Sequence, residues 1–216
     1  MPSAAKVVRY VAFGLMALLA VFGSAFIVGE TLMDPGGFPA VLLSASWFVP
    51  MVALAVYALR RPEMATTVLT VVTALVAAFV VLDGVFGIVP RDEIGPVASI
   101  IVFAVAVPLG FLGLHRPLRA GWLLLLVGAA NLADVVAKIL GAGDGPPLGA
   151  ALGGSSGAVA VPVVIIGGLF LVAASLEHGR TEESPTARAG RTGSDRSTES
   201  SLHSQGGRLS GASRRH

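Results

Sequence analysis

The chain contains no cysteine, which excludes disulfides, thiolate metal sites and a cysteine nucleophile. Charge is also scarce: 13% of residues are Asp, Glu, Lys or Arg, against about 25% in a typical soluble domain. What charge there is comes in clumps. Twenty uncharged residues separate Arg9 from Glu30, 25 separate Asp34 from Arg60, and 19 separate Glu63 from Asp83. This distribution excludes a soluble globular enzyme. Histidine is missing where it would matter. His115, His178, His203 and His216 all fall outside the apolar runs, so no run offers an axial haem ligand or an HExxH zinc pair. Ser24 lies within an apolar run but has no histidine at its depth to activate it, so it reads as a small packing residue. The abundant glycines lack the Gly-Lys-Ser/Thr ending of a phosphate loop. No catalytic residue, metal or cofactor is therefore expected.

What is present is 54% hydrophobic residues, arranged in runs near the length a helix needs to cross a hydrocarbon core of ~30 Å. The runs are uniformly apolar rather than alternating, which selects helices over barrel strands. The fold class predicted is an all-α membrane protein with six transmembrane helices, at about 8–28, 40–59, 66–89, 97–114, 122–140 and 158–176. Lys6 and Arg9 precede the first run, which is longer than the apolar region of a cleaved signal and so reads as a span.

The charges between the runs alternate in sign. Lys6, Arg9, Arg60, Arg61, Arg116 and Arg119 fall on one side, opposed only by Glu63; Glu30, Asp34, Asp92, Glu93 and Asp144 fall on the other, with Arg91 the sole base. The positive-inside bias then puts both termini in the cytoplasm. The same loop arginines explain the net charge of +2 without any nucleic-acid partner. Arginine outnumbers lysine 13 to 2 amid heavy Ala, Gly and Val usage, which points to a bacterial plasma membrane.

Residues 1–176 thus form the predicted transmembrane domain, and 177–216 a disordered cytoplasmic tail. The tail holds eight Ser, four Thr and six Gly, with Leu202 and Leu209 its only large aliphatics, too little apolar surface to offset ordering entropy. Its basic end, Arg208 to His216, reads either as a solvated terminus or as an anionic-lipid contact or phosphorylation target.

A threefold pattern runs through the spans, as if three helical hairpins stood in tandem. Each odd span carries an acid near its outer end, Glu30, Asp83 and Asp134, spaced by 53 and 51 residues. Each even span carries a Val-Pro step at Pro50, Pro108 and Pro162, spaced by 58 and 54. These prolines are candidate kinks, since each removes an N–H and crowds the carbonyl four residues back.

Depth separates the polar residues. At 1.5 Å per residue, Glu30 lies about 31 Å beyond Arg9 and Asp83 about 27 Å beyond Ala65, both near the outer headgroups, whereas Asp134 is only about 21 Å past Ala120. Asn131, Asp134 and Lys138 follow i, i+3, i+7 and share one face of the fifth helix. A charge at mid-depth costs about 2.5–3.5 kcal/mol, and each Leu recovers only about 0.3–0.6. That face must therefore turn into the bundle, pair Asp134 with Lys138, or both. Thr66, Thr70 and Thr73 make a polar stripe on the third helix, read as bonding back to helix carbonyls or to neighbours. Glycines at 141, 145, 149, 153 and 157 recur every four residues, as either a helical contact ridge or a flexible outer loop.

The expected function is that of a small integral membrane protein acting as a non-catalytic structural or interaction component of the plasma membrane. Its expected partners are the lipid bilayer and other membrane proteins or copies of itself. The alternative is a small transporter or ion-coupled permease that uses Asp134 with Asn131 and Lys138 beside it.

Overall fold

The computed structural model describes residues 3–33, 37–86, 97–141 and 157–179, the side chains of 137–141 excepted. The described residues form six helices and no strand. They are α1 (Ala4–Met33), α2 (Gly37–Arg60), α3 (Pro62–Phe86), α4 (Val97–Gly113), α5 (Pro117–Gly141) and α6 (Gly157–Gly179). Five of these are long and apolar enough to cross a membrane; α4, with 17 residues, is shorter. At about 25 Å it falls short of a ~30 Å hydrocarbon core.

The helices overrun the expected spans mainly at their polar ends. α1 begins at Ala4 rather than near Val8 and continues to Met33, because hydropathy marks only the part of a helix suited to the apolar layer, while backbone hydrogen bonding continues beyond it. α3 and α5 both start on a proline, Pro62 and Pro117, the first-turn position where the missing N–H costs nothing. Residues 87–89, which the reading of the sequence assigned to the third span, lie outside the described residues, as do most of the Gly141–Gly157 ridge and the tail from 180 onward.

The two turns that follow α2 and α4 are built alike. In the first, Arg61 N–H donates to the Tyr57 carbonyl at 2.9 Å and Ala65 N–H to the Arg61 carbonyl at 2.9 Å. In the second, Arg116 N–H donates to Leu112 at 2.9 Å and Ala120 N–H to Arg116 at 3.0 Å. Each donor and acceptor has its counterpart 55 residues later. The buried positions follow the same offset: Ala55 and Gly110, Ala58 and Gly113, Ala65 and Ala120, Leu69 and Leu124, Val80 and Val135. The hairpin α2–α3 and the hairpin α4–α5 are thus two versions of one unit.

Packing follows that correspondence more than chain order. Among α1 to α5 the most extensive contacts are α3 with α5 and α2 with α4, both larger than those of α1 with α2 or α2 with α3. α4 is the central element: it touches α1, α2, α3 and α5, and twelve of its 17 residues are buried. A helix so enclosed by protein has little need to match the thickness of the lipid. α1 lies antiparallel against it, with Met16 against Gly110 and Phe13 edge-on to Phe111 at 5.2 Å between ring centroids. Outward from this centre the surface is apolar: Phe22 and Phe26 on α1 and Leu42 and Leu43 on α2 are all exposed. On a water-soluble protein such a surface would be an aggregation liability; it is compatible with a helix bundle set in lipid.

α6 packs on α5 through glycine. A Cβ on Gly121 would lie 3.0 Å from the Gly167 carbonyl oxygen, and one on Gly167 would lie 3.2 Å from that of Gly121. The two backbones meet directly there, as small residues permit between apolar helices. By contact density the chain divides into Met1–Ala174 and Ser175–His216; the described part of the second unit is Ser175–Gly179, the last turns of α6.

Prolines 50, 108 and 162 lie inside helices that continue past them without a break. Pro50 is exposed, Pro162 is half-buried and Pro108 is buried in the central helix.

Candidate functional site

The buried face of α3 follows a spacing of three and four residues through Thr66, Leu69, Thr73, Ala77, Val80 and Asp83, which is one stripe of a helix. Two of its threonines satisfy themselves: Thr66 Oγ1 donates to the Pro62 carbonyl and Thr70 Oγ1 to the Thr66 carbonyl, each at 2.7 Å. Thr73 is fully buried, and its hydroxyl has no hydrogen-bond partner among the described residues.

Six polar residues are buried among the described residues, and four of them gather toward one end of α3, α4 and α5. They are Asp83, Ser99, Asn131 and Asp134, none more than 4% exposed. Two contacts set the register between α3 and α5. Near the starts of both helices, Arg116 Nη2 meets Glu63 Oε1 at 3.0 Å. Toward their ends, a Cβ on Gly84 would lie 3.3 Å from Asp134 Cα and 2.9 Å from its Oδ1. The helices therefore run parallel, and the absence of a side chain at Gly84 lets the backbone of α3 approach Asp134.

This geometry corrects the depth assignment. Counting from the loops placed Asp83 at the outer headgroups and Asp134 well below it, but the two acids occupy one level. The count treated each helix as perpendicular to the membrane with its own loop as origin. The α3–α5 contact fixes the offset directly. Ser99 joins the same level: it precedes Gly113 by 14 residues and Asn131 follows Pro117 by 14, so both lie about 21 Å from the α4–α5 turn. Each of Asp83, Ser99, Asn131 and Asp134 is engaged by a partner, as burial of polar groups requires. Asn131 and Asp134 turn into the bundle, one of the arrangements their shared face required. Lys138 continues α5 one turn further, and its side chain lies outside the described residues. Glu30 is separate from this cluster, exposed near the end of α1.

Chemically, two carboxylates, an amide and a hydroxyl in a water-poor seam can do one of two things. They can bind helices together through charge-assisted hydrogen bonds, or they can hold and release a proton or cation. No known protein family, curated protein or solved structure matches this chain. The choice between the two rests on geometry alone.

Reading along the chain missed Ser99 and the shared level of Asp83 and Asp134. The available signal was Gly84, whose placement beside an acid near a helix end marks a close approach by another helix. It likewise missed the glycine contact between α5 and α6, which Gly121 and Gly128 announce by sharing a face seven residues apart.

Proposed function

We propose that the chain is a six-span protein of a bacterial plasma membrane, with both termini in the cytoplasm, acting as a non-catalytic structural or interaction component. α4 counts as the sixth span, reaching across with the help of the helices around it. The single observation that carries the structural role is the seam at Gly84. Asp134 is 2% exposed, and the α3 backbone lies against it at van der Waals distance. A polar cluster closed in this way fixes which helices meet, since breaking it would strand a charge in a medium of low dielectric.

The native chain has no cysteine, so Asn131→Cys, Asp134→Cys, Ser24→Cys and Ser46→Cys variants can be probed with a water-soluble thiol reagent. The expected result is protection at 131 and 134. Labelling at both would indicate an aqueous path and overturn the structural role. Turnover of a lipid or peptide substrate by the purified protein would overturn the non-catalytic assignment.

One observation favours a second reading, a small ion-coupled permease. Two carboxylates, Asp83 and Asp134, are buried at one level on parallel helices, with the buried Asn131 and Ser99 at a similar height. That reading requires Asp134→Asn to abolish ion-coupled flux in proteoliposomes while the protein remains folded. Unchanged flux removes Asp134 as the coupling acid.

A further inference from the structure

The two-hairpin correspondence exposes a difference at the inner end of α2. In the second unit, one face of α4 has Pro108 and Leu112 buried and Phe111 half-buried, with Phe13 of α1 seated edge-on against Phe111. The corresponding face of α2, 55 residues earlier, carries Ala53, Val56 and Tyr57. It is left open as a depression of about 510 Å³ whose remaining walls are Arg60 and Arg61. Ala53 and Val56 are exposed, as are both arginines.

Charge differs between the units in the same way. Arg116 of the second unit has its acid, Glu63, at 3.0 Å. Its counterpart Arg61 would need an acid at position 8, where the chain has Val8. Glu63, the sole acid among the turn residues on this side, is already taken by Arg116. Neither Arg60 nor Arg61 forms an ion pair among the described residues. The depression is thus apolar along α2 and capped at the helix end by two guanidinium groups without a counter-charge among the described residues.

From this we infer that the open face of α2 is a binding site for one anionic phospholipid. An acyl chain lies along Ala53, Val56 and Tyr57, and the phosphodiester is held by Arg60 and Arg61. The volume lies within the range of small-molecule sites, about 300–1,000 Å³. Guanidinium groups match phosphate oxygens in pairs of parallel hydrogen bonds, and basic pockets at the ends of membrane helices are a known mode of anionic headgroup recognition. Tyr57 sits one turn below the arginines, where an aromatic ring with a polar tip suits the boundary between chain and headgroup. The inference rests on the membrane reading above but not on the choice between structural component and permease.

The test is native mass spectrometry of the full chain in detergent, titrated with phosphatidylglycerol and with phosphatidylcholine of identical acyl chains. One phosphatidylglycerol should bind in preference by roughly thirtyfold, the factor for two basic contacts near a membrane surface. Glycerol phosphate, which has the headgroup charge but no chain, should not compete. Arg60→Gln/Arg61→Gln should remove the preference. Ala53→Trp, which fills the depression and leaves the charge intact, should remove binding as well, while Arg119→Gln on the same end of the bundle should leave both unchanged. Equal losses in Arg119→Gln and Arg60→Gln/Arg61→Gln would show diffuse attraction and overturn the site, as would full retention in Ala53→Trp. Circular dichroism and monodispersity of each variant separate a lost site from a lost fold. A chain that stays soluble and monodisperse without detergent would refute the membrane reading itself, a result distinct from a membrane-bound chain that shows no lipid preference.

Discussion

Asp134 can be buried because residue 84 on the neighbouring helix is glycine. A larger side chain there would meet Asp134 at Cα and Oδ1, and α3 and α5 are held together by the most extensive contact among α1 to α5. Gly84→Leu should lower the stability of the purified protein by about 1–3 kcal/mol, the usual cost of overpacking. Gly14 on α1 provides the control, because a Cβ there meets nothing within 4 Å. Gly14→Leu should leave the thermal midpoint in detergent close to that of the native chain, and equal losses in both variants would contradict the seam. The residue type and shared face of Asn131 and Asp134 were legible in the chain, since residues three apart on a helix lie on one side of it; that this side turns into the bundle is seen in the structure. The burial of Asp83 at their level was not legible. It depends on how far α3 is offset against α5, and no local pattern encodes that offset.

At the level of elements, apolar length located all six helices, yet length alone missed their roles. α4 is the shortest, and its apolar residues go all round it, so its sequence has no periodic stripe to say which side faces protein. The structure makes it the hub, with α1, α2, α3 and α5 against it. The α5–α6 pair meets instead through glycines, Gly121 against Gly167 and Gly128 against Val164, and only at the first do two backbones face each other through glycine on both sides. Gly168, adjacent to Gly167, faces open space, so these two positions make a matched pair. Gly167→Leu should separate α6 from α5 and cost at least about 1 kcal/mol, whereas Gly168→Leu should be nearly neutral. Thermal unfolding of the two variants in the same detergent checks this, and indistinguishable midpoints would contradict the crossing.

For the whole molecule, the Arg-Pro turns after α2 and α4 share one hydrogen-bond pattern, and α3 and α5 run parallel between them. In the topology proposed above both turns then lie on the same side of the membrane, and the positive-inside bias of their arginines assigns that side to the cytoplasm. Alkaline phosphatase fused to either terminus should accordingly be inactive, and the same reporter placed between α1 and α2 should be active. An active fusion at Met1 or after His216 would reverse or break the proposed topology. The repeat also shows how similar units acquire different surfaces. Among the described residues, the face that α1 packs against on α4 is open on α2, and the charge that Glu63 neutralises at Arg116 is unopposed at Arg61.

The sequence by itself determined the apolar helices and the shared polar face of Asn131 and Asp134. These follow from hydropathy, backbone geometry and desolvation, which act within one helix. Only the tertiary structure decided that Asp83 and Ser99 share a level with Asp134, that α4 is central, and that one face of α2 is uncovered. Those outcomes depend on lateral order and axial offset. Between helices that are apolar on every side, both are set by where glycines allow two backbones to touch, and that contact joins residues far apart in the chain.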